Sequence, residues 1–122
     1  MLEIGKSYER TFISKITGGG FREYLPYKNG KVVCATVRRD VNPDAPGIII
    51  VTTNKSVMYW ANKFASQKNY VPVFIKEKDG GWCYFGDYRV KRIEKDKEKL
   101  YEYSKNINVQ LSMLLFLEEK KI

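Results

Sequence analysis

Residues 71–93 read VPVFIKEKDGGWCYFGDYRVKRI, two runs of strand-forming residues on either side of Asp79-Gly80-Gly81. A tight reversal needs backbone at positive φ, which glycine adopts without steric cost, so the stretch is predicted as a β-hairpin. By the period of two of an extended chain, its second arm puts Trp82, Tyr84, Gly86, Tyr88 and Val90 on one face. Cys83, Phe85, Asp87, Arg89 and Lys91 fall on the other. The first face is expected to be aromatic and to pack on a helix carrying Trp60; the second becomes charged towards its end.

Upstream of the hairpin, GIIIVT at Gly47 to Thr52 reads as a buried strand, and Thr53 or Asn54 caps a helix running to about Lys68. Val57, Trp60, Ala61, Phe64 and Ala65 form that helix's apolar stripe, with Tyr59 and Lys63 on the solvated side. Asn29-Gly30 is a turn signal before Lys31–Arg38, whose almost continuous apolar run predicts a central strand covered on both faces. The loop Val41-Asn42-Pro43-Asp44-Ala45-Pro46-Gly47 is stiffened by two prolines. Near the start, Phe12, Ile13 and Ile16 have helical spacing, with Ser7 or Thr11 as cap and Gly18-Gly19-Gly20 as stop. The triple glycine is neither a P-loop, since no GK[ST] follows, nor a dinucleotide fingerprint, since no strand precedes it.

Downstream, Glu94-Lys95-Asp96-Lys97-Glu98-Lys99 alternates in charge and predicts a solvated helix face, with Leu100, Tyr103 and Ile107 as its apolar stripe. Residues 109–118 fit either period, and a strand is expected because it returns the Leu-Leu-Phe-Leu run to the sheet. The sum is one α+β domain over residues 1–122, with two to three packed helices.

A chain of 122 residues with 43% hydrophobic and 30% charged residues has the balance of a soluble globular protein. No apolar run reaches the roughly 20 residues of a membrane helix, and no signal-like layout opens the sequence, so a cytoplasmic location and no membrane partner are expected. The absence of histidine removes Ser-His-Asp and Cys-His chemistry, and two distant cysteines, Cys34 and Cys83, do not make a zinc site. No catalytic residue, metal site or cofactor is expected, although Asp40, Asp44 and Asp87 are the acids that would have to meet for a carboxylate-metal site. Net charge is +8, and residues 1–93 hold the whole excess, with sixteen Lys or Arg against eight Asp or Glu. Such a surface attracts phosphate backbones, and two Trp, nine Tyr and six Phe supply aromatic platforms for unstacked bases.

The combination of Gly18-Gly19-Gly20, Leu25-Pro26, Gly30-Lys31-Val32-Val33, Asn42-Pro43-Asp44-Ala45-Pro46, Val73-Phe74-Ile75-Lys76 and Trp82-Cys83-Tyr84-Phe85-Gly86-Asp87-Tyr88-Arg89-Val90 resembles a bacterial and fungal domain family of unknown function. That family is in turn similar to the SRA, PUA-like and sulfur-binding modules of modification-dependent restriction systems. The resemblance implies a PUA- or SRA-like fold, a curved mostly antiparallel sheet or partly open β-barrel, presenting a pocket or basic face to nucleic acid, in some relatives to a modified base.

These readings converge on a small module that binds DNA or RNA, a reader of modified DNA in the sharpest form, without catalysis of its own. Arg38 and Arg39 are the expected phosphate or guanine contacts, and Asn42 a base-edge contact. Arg22, Tyr24 and Tyr27 would add cation and stacking surface, and Lys76, Lys78, Arg89, Lys91 and Arg92 backbone contacts. The alternative is a protein-interaction module or inhibitor, because Tyr, Trp and Arg also dominate protein interfaces.

Overall fold

The structure is a computed structural model that describes residues 1–78 and 80–121. Asp79, placed by the sequence in the hairpin turn, lies outside the described residues.

The helices form where apolar spacing and caps coincide. Strand β1 (Ser7–Tyr8) leads into α1 (Arg10–Thr17), which stops at Gly18 with φ +81°. Its N-cap is Glu9, with no side-chain cap bond, and not Ser7 or Thr11, because the helix begins one residue before Thr11. Asn54 caps α2 (Lys55–Ser66) by accepting from the Ser56 and Val57 amides, and Asp96 caps α3 (Lys97–Ser104) through the Lys99 amide. Each cap satisfies orphan donors of a first turn.

The remaining strands are β2 (Tyr27–Lys28), β3 (Lys31–Val32), β4 (Ala35–Arg38), β5 (Ile48–Thr52), β6 (Val71–Lys76), β7 (Trp82–Glu94) and β8 (Leu111–Glu119). In the main sheet they run β4-β6-β7-β8-β5, with β1 beside β7, and β2–β3 form a separate hairpin. All pairs are antiparallel except β4–β6. The order begins at β4 and ends at β5, so the curved sheet is an open barrel. Residues 111–119 are strand, as the burial of Met113, Leu114, Leu115 and Leu117 requires.

Three expectations are corrected. The Lys31–Arg38 run breaks into β3 and β4, and β4 ends the sheet instead of sitting at its centre. It is still buried because the preceding segment covers its outer edge: the Thr36 amide donates to the Tyr24 carbonyl, and its hydroxyl to the Glu23 carbonyl. The second correction concerns the β7 face. Val73 opposes Gly86 and Phe74 opposes Tyr84, which leaves Phe85 as the extra residue of a β-bulge. One extra residue reverses the pleat's parity. Tyr84 therefore packs with Ile13, Cys34 and Phe74 beneath α1, whereas Tyr88 joins Val37, Phe64 and Ile75 beneath α2. The third concerns Trp60 and Trp82. Trp82 lies half-buried on the α1 side, away from the Trp60 helix, and Trp60 is half-buried, packed against the main apolar cluster and under Tyr27.

The largest apolar cluster lies between α2 and the sheet, with Phe64 and Ala61 fully covered. A smaller one under α3 joins Ile50, Leu100 and Leu114. Burying a side chain such as Phe64 contributes about 2–3 kcal/mol in transfer alone, so α2 is held by packing and not by intrinsic propensity.

Candidate nucleic-acid interface

At the C-terminal ends of β4 and β6, Arg38 lies beside Lys76, and Lys76 beside Trp82 of β7. Side chains at aligned positions of neighbouring strands share a face, so two cations and an indole form a row across three strands. Lys76 Nζ sits 5.7 Å from the Trp82 ring centre, and the Arg10 guanidinium approaches the same ring at 5.0 Å. Beside this row opens a cleft of about 430 Å³ lined by Arg38, Arg39, Asp40, Lys76, Glu77 and Lys78. Among the described residues four cations face two carboxylates there, which leaves that lining net positive.

The two arginines behave differently. Arg38 makes a fork with Asp40 at 3.2 and 3.0 Å, and both side chains are more than 60% exposed. The hydrogen bond from Arg38 holds the Asp40 carboxyl below the usual range. An exposed pair of this kind adds little stability, so the guanidinium is available to exchange Asp40 for a phosphate. Arg39 forks onto Glu77 at 3.0–3.3 Å, donates to the carbonyls of Pro43 and Ala45, and lies 5.6 Å over the Phe85 ring. It fastens the proline loop to the end of β6 and has few donors left for a ligand.

Asn42 is only 5% exposed, and its side-chain oxygen accepts the Ile50 amide at 2.8 Å. It therefore holds the loop against β5 and does not face a base. Tyr24 is half-buried, donates to the Val57 carbonyl at 3.1 Å, and has its phenol pushed up by burial. It is a strut between the covering segment and α2. Arg22 is exposed beside the glycine loop.

That loop is explained by packing. A Cβ on Gly19 would stand 2.6 Å from Pro26 Cβ and 2.9 Å from Val33 Cγ2, and one on Gly18 would strike Lys28. The glycines let α1 end directly against the segment 26–33.

The remaining basic residues lie elsewhere. Val71 pairs with Tyr88 whereas Lys76 pairs with Trp82, so Arg89 and Lys91 are about 20–30 Å along the strand from the cleft row. Arg89 is engaged by Glu118 at 2.8 Å, the Lys68 carbonyl and the Tyr70 ring. Arg92 lies 3.8 Å over Phe116, next to Glu94. Tyr27 is exposed and stacks on Trp60. The eleven residues singled out from the sequence thus do not form one site: Arg38 and Lys76 meet, with Lys78 in the same cleft and Arg39 behind them, while Tyr27, Arg89, Lys91 and Arg92 lie elsewhere. Arg10 and Trp82 were missed as members of the row. No local signal marks Arg10, whose position depends on how α1 crosses the sheet.

The three acids that would have to converge on a metal do not meet: Asp40 bonds Arg38, Asp44 accepts from Tyr103 Oη at 2.6 Å, and Asp87 from Tyr84 Oη at 2.6 Å. Among the described residues no cluster of three or more metal-ligating side chains occurs.

A family model described as "Domain of unknown function (DUF6697)" matches residues 7–102. No curated protein matches the chain. Among solved structures, the SRA domain of SUVH5 in complex with hemi-methylated CG DNA superposes with a TM-score of 0.65 at 14% identity, covering 99% of this chain and 90% of that one. The SUVH5 SRA domain with methylated CHH DNA gives a TM-score of 0.55 at 15% identity, with the same coverage. At such identities the likeness is one of fold, an open PUA-like barrel.

Proposed function

We propose that this chain, which belongs to the DUF6697 family, is a nucleic-acid-binding module without chemistry of its own that engages duplex DNA through the cleft at the ends of β4 and β6. The observation that carries this reading is the row Arg38, Lys76, Trp82, in which two exposed cations and an indole share one face beside a net-positive cleft. Phosphates favour such a row through counterion release, and Arg38 has the fork geometry for a phosphate or a guanine edge. The SRA fold adds support, since both superposed domains are held in complexes with methylated DNA. In its finer form the module reads a modified base, with the cleft as the receiving surface and Lys78 in its lining.

The test is binding of labelled duplexes, identical except for cytosine methylation, by the parent protein and by R38A/K76A. The expected result is tighter binding of one methylation state by the parent and loss of most binding in the double variant. Equal affinity for all duplexes would reject the reading of modification, and undiminished binding by R38A/K76A would reject the cleft.

A further inference from the structure

Away from the cleft, the β2–β3 hairpin and α2 build a second surface. Tyr27 stacks on Trp60 with ring centres 3.8 Å apart and planes 7° from parallel, and Tyr59 meets Trp60 edge-on at 5.0 Å. Tyr27 is 40% exposed and Tyr59 53% exposed, so the column ends in open aromatic surface. Lys63 Nζ lies 5.7 Å over the Tyr59 ring and Lys55 is one helical turn before Tyr59 on the same stripe, while Lys28 and Lys31, paired across the hairpin, take its opposite face, Lys28 reaching over Gly18. None of these four lysines joins an ion pair among the described residues. The reason is in the sequence: residues 24–39 and 45–76 contain no Asp or Glu.

We propose that this platform binds single-stranded DNA, stacking an unpaired base on the outward face of Tyr27 and taking adjacent phosphates on Lys55 and Lys63. A duplex keeps its base faces covered, so an exposed aromatic column serves only bases that are already unstacked. Protein interfaces are depleted in lysine, whereas the charges set beside this column, Lys55 and Lys63, are both lysines. Neither stretch offers a carboxylate to accept from a 2′-hydroxyl, so the strand is taken as DNA, and the oligouridylate comparison below tests that choice. The surface is separate from the cleft and does not depend on it.

The experiment measures fluorescence anisotropy of a labelled oligothymidylate of about 20 nucleotides, an oligouridylate of the same length and a duplex, with the full chain and with Y27A, Y59A, Y27W and R38A/K76A, each checked for folding by circular dichroism. The expected result is oligothymidylate binding weakened about tenfold or more in Y27A and in Y59A, retained in Y27W, and retained in R38A/K76A. Quenching of Trp60 emission should accompany it. Oligothymidylate binding that is absent in the parent, unchanged in both folded alanine variants, or weaker than oligouridylate binding would overturn the proposal. Duplex binding without oligothymidylate binding would leave the cleft standing and remove this platform; the reverse would do the opposite.

Discussion

The guanidinium of Arg39 is held by Glu77 and by the carbonyls of Pro43 and Ala45, while Arg38, one residue earlier, has Asp40 as its one side-chain partner among the described residues. Arg39→Ala should therefore cost about 2 kcal/mol in urea unfolding, because it leaves a carboxylate and two carbonyls without their donor. Arg38→Ala should stay within about 0.5 kcal/mol and be felt in binding. The hydrogen bonds from Arg39 hold the Glu77 carboxyl below the usual range. A carboxylate with a depressed folded value contributes stability above its unfolded pKa of about 4.3 and loses it as pH falls through the folded value. The parent's advantage over Glu77→Gln is thus expected to be full near pH 7 and to shrink below about pH 4, a trend that urea titrations across that range would show. Cys34 gives a simpler test. Its thiol is fully buried and pushed up to about 11 by burial, so alkylation at neutral pH should modify Cys34 only after unfolding.

Among the elements, β7 carries the most information and the most misdirection. Its Asp-Gly-Gly turn signal and strand-forming residues identify the hairpin, but the bulge at Phe85 is invisible to a period-two reading, since it depends on how two strands register. Gly86 is the one local trace. It sits at φ +125°, and a Cβ there would come 2.7 Å from a Glu119 carboxylate oxygen. Gly86→Val should therefore cost about 2–3 kcal/mol, measured by thermal or urea unfolding, and free Tyr84 and Tyr88 from their separate clusters. The triple glycine yields a graded prediction. Gly19→Ala meets Pro26 and Val33, whereas Gly20→Ala meets only the end of the Glu23 side chain, which can swing away. The Gly19 variant should be destabilised and the Gly20 variant nearly neutral, which a loop built for a ligand would not predict.

At the scale of the whole molecule, local pattern revealed the helices, the hairpin and the final strand, because each rests on spacing within ten to fifteen residues, whereas the open barrel joins strands from residue 35 to residue 119 and was implied only by the family resemblance. The site was legible only in part. Arg38 and Lys76 are far apart in sequence and meet because β4 runs parallel to β6, and Asn42 and Arg39 are drawn into holding the proline loop by partners no spacing predicts. Charge was the better guide: the +8 net charge sits in the first 93 residues, and the fold spends part of it on internal pairs while leaving Arg38 and Lys76 turned outward. The most direct test of duplex binding by that row is the dependence of duplex affinity on salt, measured side by side for the parent and R38A/K76A. The parent should lose affinity steeply as salt rises, and the double variant should show a log–log slope shallower by about 2, one phosphate contact for each cation removed. Identical slopes in the two proteins, or affinity that does not change with salt, would contradict it.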